Sequence, residues 1–275
     1  MQRTRRLASM AVVASLAIAG LSACRSDPAV AAYIGDSTIS ERQVERVWDE
    51  ARKAFDAETG KQVAAAQAAV DDAKRKVAAG QGTEADVQAA DEALAQIPRT
   101  LPITRTDVVS ALLSRKLFDQ VAQRHSVTLP AELAYDRAGA AVGLPASTEY
   151  VRLYTQNAVL QYLVSQSITG AATLSDKDLK DVFRRAGEKQ AIQPGTTFES
   201  FRDGLNPQLA EELKTGVALR DELTSAAEPL HITINPRYRP MEIVTYAYPR
   251  QNAPALDLVG AALDDQATLP VLDVS

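Results

Sequence analysis

The chain has 275 residues, 46% of them hydrophobic and 24% charged, with 30 Lys and Arg against 35 Asp and Glu. That is enough chain to bury a core without disulfide staples, and it is too apolar for wholesale disorder. The net charge of −5 argues against a nucleic-acid binder, which needs a basic face. One cysteine excludes an intrachain disulfide and a Cys-rich metal site, and two histidines leave little for a zinc or iron enzyme. No metal or cofactor is expected.

Residues 1–23 predict a lipoprotein signal peptide. Arg3, Arg5 and Arg6 form a positive start, and Leu7 to Ala23 carry no charge. The lone cysteine, Cys24, follows Leu21-Ser22-Ala23, an arrangement that looks like a bacterial lipobox. Cleavage before Cys24 and acylation of its thiol would leave a lipid-anchored protein on the extracytoplasmic face of the cell membrane. The alternatives are an uncleaved anchor, short for the roughly 20 residues a span needs, and an ordinary secretory signal. An acidic body does not bind anionic lipid by charge, so the acyl chains would hold it there.

After a tether at 24–29, Val30 to Ile34 reads as a short strand, Gly35-Asp36 as a turn and Ser37 to Ile39 as a return strand. Ser40 caps a helix whose apolar stripe is Val44, Val47, Trp48, Ala51 and Phe55. Residues 61–97 predict a helical hairpin arm around Gly80-Gln81-Gly82, with Val70, Val77, Val87 and Leu94 along an Ala-rich seam. A second wide-faced helix is expected from Thr106, a third over Ala131–Ala141, and a fourth from a Ser147 cap to about Ser167. Further helices are expected over Asp176–Arg185 and after Asn206-Pro207, and a strand over Leu230–Ile234. The tail, 241–275, reads as loosely ordered beyond one extended piece at Met241–Tyr248, so that a cut at Pro249 is expected to be nearly neutral. The fold class is mainly α, with the two end strands too short to stand alone and expected to pair.

The order of these pieces resembles the chaperone domain of SurA/PrsA-type, trigger-factor-like proteins. The carriers are Val30 to Ser40, Ser126-Val127-Thr128-Leu129-Pro130-Ala131-Glu132-Leu133, Thr173 to Leu179, and Ile232 to Tyr238, the last similar to the end of actinobacterial SurA-like lipoproteins. The resemblance spans roughly 30–240 and implies a SurA-like domain that holds unfolded or newly secreted polypeptides. Family members with a parvulin isomerase domain carry it before the last helical segment. Only about 20 residues separate Ala186 from Asn206, so the resemblance implies a holding domain without isomerase activity.

No catalytic constellation stands out: Gly-x-Ser-x-Gly, P-loop and His-Glu-x-x-His patterns are absent. His125 reads as a helix terminator and His231 as a strand residue. Tyr150, Tyr154 and Tyr162 lie along one predicted helix and are the candidate client-binding surface, against the plainer reading of a core edge. Three function classes stay open: a promiscuous holding protein, a structural or adaptor lipoprotein with one fixed cell-envelope partner, and an enzyme, which no constellation supports.

Overall fold

A computed structural model describes residues 27–168, 173–250 and 253–263. Strand β1 (Val30–Ile34) turns through Gly35, at φ +56°, into β2 (Ser37–Ser40). Strand β3 (Thr233–Ile234) joins the other edge of β1 antiparallel, with Ala32 opposite Ile234 and Tyr33 opposite Thr233. The two ends of the domain therefore pair as expected. The pairing is shorter than the sequence predicts, because Glu228–Leu230 forms a 3-10 turn and His231 sits in a left-handed conformation at φ +42°. His231 is thus a turn residue and not part of the strand. Asn235 extends the junction: its N–H donates to Ala31 O at 2.9 Å and its Nδ2 to Val30 O at 3.2 Å.

Helix α1 (Glu41–Ala78) starts on Ser40, whose hydroxyl accepts from Gln43 N–H. The sequence predicts a separate arm helix from residue 61, but α1 runs unbroken for 38 residues, about 57 Å. Gly60 costs a helix about 1 kcal/mol, and the Ala-, Gln- and Lys-rich residues around it are strong helix formers that absorb this. Helix α2 (Glu84–Ala95) folds back along α1 behind a Thr83/Asp86 capping box. The seam is as thin as its small side chains dictate: Val70 and Ala73 are buried, Val77, Val87 and Leu94 only half-buried.

Helix α3 (Arg105–Arg124) begins at a Thr104/Asp107 capping box, slightly before the predicted start. Its buried face, from Val108 and Leu113 to Leu117 and Val121, occupies the centre of the main core. Helix α4 (Tyr135–Val142) starts four residues later than predicted, behind Ala134, which has no side-chain cap to offer. Helix α5 (Glu149–Ser167) is capped by Thr148, one residue past the predicted Ser147, and packs on α3. Then follow α6 (Asp176–Glu188), the short α7 (Phe198–Asp203) and α8 (Pro207–Ala227), the last with the expected Asn206 cap and Pro207 in its first turn. The described residues are thus mainly helical.

The extended piece expected at Met241–Tyr248 is present as a strand, and residues 253–263 correct the reading of a loose tail beyond it. Strands β4 (Glu242–Arg250) and β5 (Ala253–Ala262) form an antiparallel hairpin whose one face lies on α8 and α6. Leu256, Leu258 and Val259 pack there with Val182, Ala186, Leu213 and Val217 as a second core. Ile243, Ala261 and Leu263 reach into the main core instead. The remainder of that tail, 264–275, and the signal segment 1–23 lie outside the described residues.

A chain ending at Pro249 should therefore not be neutral. It loses five buried apolar side chains, Leu256, Leu258, Val259, Ala261 and Leu263, the larger ones worth roughly 2 kcal/mol each, and uncovers Leu213 and Val217. Urea or thermal unfolding should show a stability loss of roughly 5 kcal/mol or more; unfolding indistinguishable from that of the full chain would refute the packing role of β5.

Candidate functional site

The exposed aromatic surface of the described residues is concentrated in three tyrosines, Tyr154 (43% exposed), Tyr162 (63%) and Tyr248 (42%). The first two stand on α5. Two open grooves run along this helix where it faces β4. The first, about 300 Å³, is lined by Asp107, Ser110, Ser114 and Ala111 of α3, by Tyr150, Tyr154 and Asn157 of α5, and by Glu242 to Val244 of β4. The second, about 520 Å³, is lined by Tyr162 and Ser165 of α5, Glu212 and Gly216 of α8, and Thr245 and Tyr246 of β4. Ala158 and Gln161 line both, so the grooves meet end to end.

The waist between them is built by a strand irregularity. The β4–β5 register shifts between Val244 and Tyr246. Val244 O and Thr245 O each accept from Gln161 Nε2 at 3.3 Å. One side-chain amide thereby fastens α5 to β4 at this irregularity. Two buried polar atoms beside this waist have no hydrogen-bond partner among the described residues, Asn157 Oδ1 and Thr245 Oγ1. Asn157 Nδ2 is held by Ala111 O at 2.8 Å, which fixes the amide orientation.

The structure divides the three tyrosines. Tyr150 is 8% exposed and belongs to the main core, so only its edge reaches the first groove. Burial, with the nearby Asp107 carboxylate, pushes its hydroxyl pKa well above the ordinary tyrosine value. Tyr154 lines the same groove with an exposed ring, whereas Tyr162 lies in the second. The opposite walls, Glu242 to Tyr246 and Glu212, were missed by sequence reasoning. The run Glu242-Ile243-Val244-Thr245-Tyr246, rich in β-branched and aromatic residues, was the available signal.

Charge fixes the hairpin against α6 and α8. Arg185 donates from Nη1 and Nη2 to Glu242 at 2.8 and 2.5 Å and from Nε to Asp181 at 2.7 Å. Arg220 of α8 reaches Asp178 of α6 at 2.7 Å. Burial raises the Asp178 and Asp181 carboxyls, but hydrogen bonds from Ser175 and Arg220 in one case, and from Arg184 and Arg185 in the other, outweigh it and hold both below the usual range. Tyr246 Oη donates to Glu212, which keeps that carboxyl low as well.

The remaining candidates have structural partners. His125 N–H donates to Val121 O at 3.1 Å at the end of α3, and its Nε2 lies 3.4 Å from Glu222 of α8. Trp48 is half-buried against the main core with the Arg105 guanidinium 3.9 Å above its ring. Among the described residues no three His, Cys, Asp or Glu side chains gather as a metal site, and no helix is long and apolar enough to cross a membrane. Cys24 lies outside the described residues. Compared with known proteins, the chain matches no family model, no curated protein and no solved structure.

The depressed carboxyls give a pH test. A carboxyl with a lowered folded-state pKa contributes stability above its unfolded value, near 4, and loses that contribution as pH falls through the folded value. Asp178→Asn should cost about 1–2 kcal/mol at pH 7 and progressively less below about pH 4. Urea midpoints of both proteins across pH 3–7 measure this, and a pH-independent gap would remove Asp178 from the ion network.

Proposed function

We propose that the chain is a lipid-anchored, extracytoplasmic protein that holds unfolded or newly secreted polypeptide segments, without isomerase or other catalytic activity. The observation that carries this reading is the pair of continuous grooves along α5, flanked by the exposed rings of Tyr154 and Tyr162. An exposed aromatic beside an open, mixed polar and apolar trough offers contact area at low entropy cost and demands no single side chain from its ligand. The SurA-like order of the pieces supports the same reading: the end strands meet at one base, and the α1–α2 arm projects from it. The alternative is an adaptor lipoprotein, whose grooves would take one fixed cell-envelope partner.

Breadth of clients separates the two. The purified protein should suppress aggregation of several unrelated unfolded proteins at near-stoichiometric ratio, read by light scattering. Suppression of none would sink the holding function, and suppression of a single envelope protein would favour the adaptor.

The anchor is tested separately. A diacylglycerol thioether at Cys24 supplies two chains, enough for stable membrane attachment where one is marginal. Cys24→Ala should release the protein from membrane fractions or leave it unprocessed, and intact mass should show the lipid on the unaltered protein. An unmodified Cys24 in membrane-bound material would end this part of the proposal.

A further inference from the structure

We infer that the trough between α5 and β4 docks an extended polypeptide segment that carries lysine or arginine among apolar residues, an inference that rests on the holding function proposed above. Three independent observations point there. The first is charge. The two grooves are lined by three carboxylates, Asp107, Glu212 and Glu242, and by no lysine or arginine. Glu242 is already matched by Arg185. Asp107 and Glu212 make no ion pair among the described residues; they accept only from Thr104, and from Tyr246 and Gln208. One unmatched carboxylate thus stands in each groove.

The second is the pair of exposed tyrosines, one per groove, whose ring faces attract a cation within about 6 Å. A lysine or arginine reaching toward Asp107 or Glu212 can rest its stem on the ring of Tyr154 or Tyr162, so that charge and apolar stem are both satisfied. The third is length: Tyr150 to Tyr162 covers about 18 Å of helix, the length of five or six extended residues.

The test uses the full chain in detergent and three labelled decapeptides of equal apolar content, bearing two lysines, two glutamates or two glutamines, read by fluorescence anisotropy. The lysine peptide should bind at least about threefold tighter than the glutamate peptide, a preference that shrinks in 0.5 M salt because exposed pairs are screened. Tyr162→Ala, at a position too exposed to disturb folding, should weaken the lysine peptide by about threefold. Glu212→Gln should reduce the lysine-over-glutamate preference by about threefold. Equal binding of all three peptides, or binding untouched by Tyr162→Ala and Glu212→Gln, overturns the inference. If aggregation of unfolded clients is still suppressed in that case, the holding function stands and works through another surface. Failure of both peptide binding and suppression removes the two together.

Discussion

Helix α8 must serve two hydrophobic cores at once, and the rest of the C-terminal half depends on how closely it can approach β4. Leu213 and Val217 face the second core, while Leu219, Leu223 and Ala226 belong to the first. The approach is set at Gly216. A Cβ there would lie 2.6 Å from Cβ of Tyr246, close to the backbone of β4, where neither partner can swing away. With a hydrogen at that position, Tyr246 crosses α8 and its hydroxyl reaches Glu212 one turn earlier. The trough inherits its floor from this contact, because Gly216, Glu212 and Tyr246 all line the second groove.

The same logic governs the other end of the hairpin. Gly260 of β5 leaves room for the Glu242 side chain, whose carboxylate carbon would be 2.4 Å from an added Cβ. Glu242 in turn takes both Nη atoms of Arg185. Ion pairs of this kind contribute little to stability when exposed and can cost as much as they return when buried. Their role here is register. Arg185 also grips Asp181 one turn away on its own helix, so its fork is held before Glu242 arrives, and only one placement of β4 meets it. Asp257, opposite Ala247 across the hairpin, shows what proximity without pairing does: burial, and then the Glu242 charge, raise its pKa.

The helices were legible where a cap and an apolar stripe coincide. Ser40 and Asn206 cap the helices they were expected to cap, and the end strands pair as their shortness demands. The second strand of the hairpin was not legible, for a physical reason. The sequence of β5, Ala-Pro-Ala-Leu-Asp-Leu-Val-Gly-Ala-Ala, is poor in strand formers, and its order comes from the surfaces of α6 and α8. Gly260 looks like a breaker in sequence, yet in the fold it is what lets Glu242 in. Gly60 misleads in the same direction, since α1 runs through it. Of the trough, the tyrosine side could be read from α5 alone, and the carboxylate and carbonyl side could not, because it depends on where β4 lands.

The division between Tyr150 and its neighbours bears on how a holding surface could work. A trough made wholly of core-like side chains would collapse on itself or aggregate. Here Tyr150 is committed to the core and stiffens the floor, whereas Tyr154 and Tyr162, four and twelve residues on, keep their rings in solvent. Gln161 bridges the waist between the two grooves with polar contacts to Val244 O and Thr245 O. The exposed apolar area is therefore modest and split in two, and each half has a carboxylate at its edge. Such a surface gains little from any one client residue. Under the proposed holding function it would exchange weak, readily reversed contacts with many segments, the physical requirement of holding a chain without trapping it.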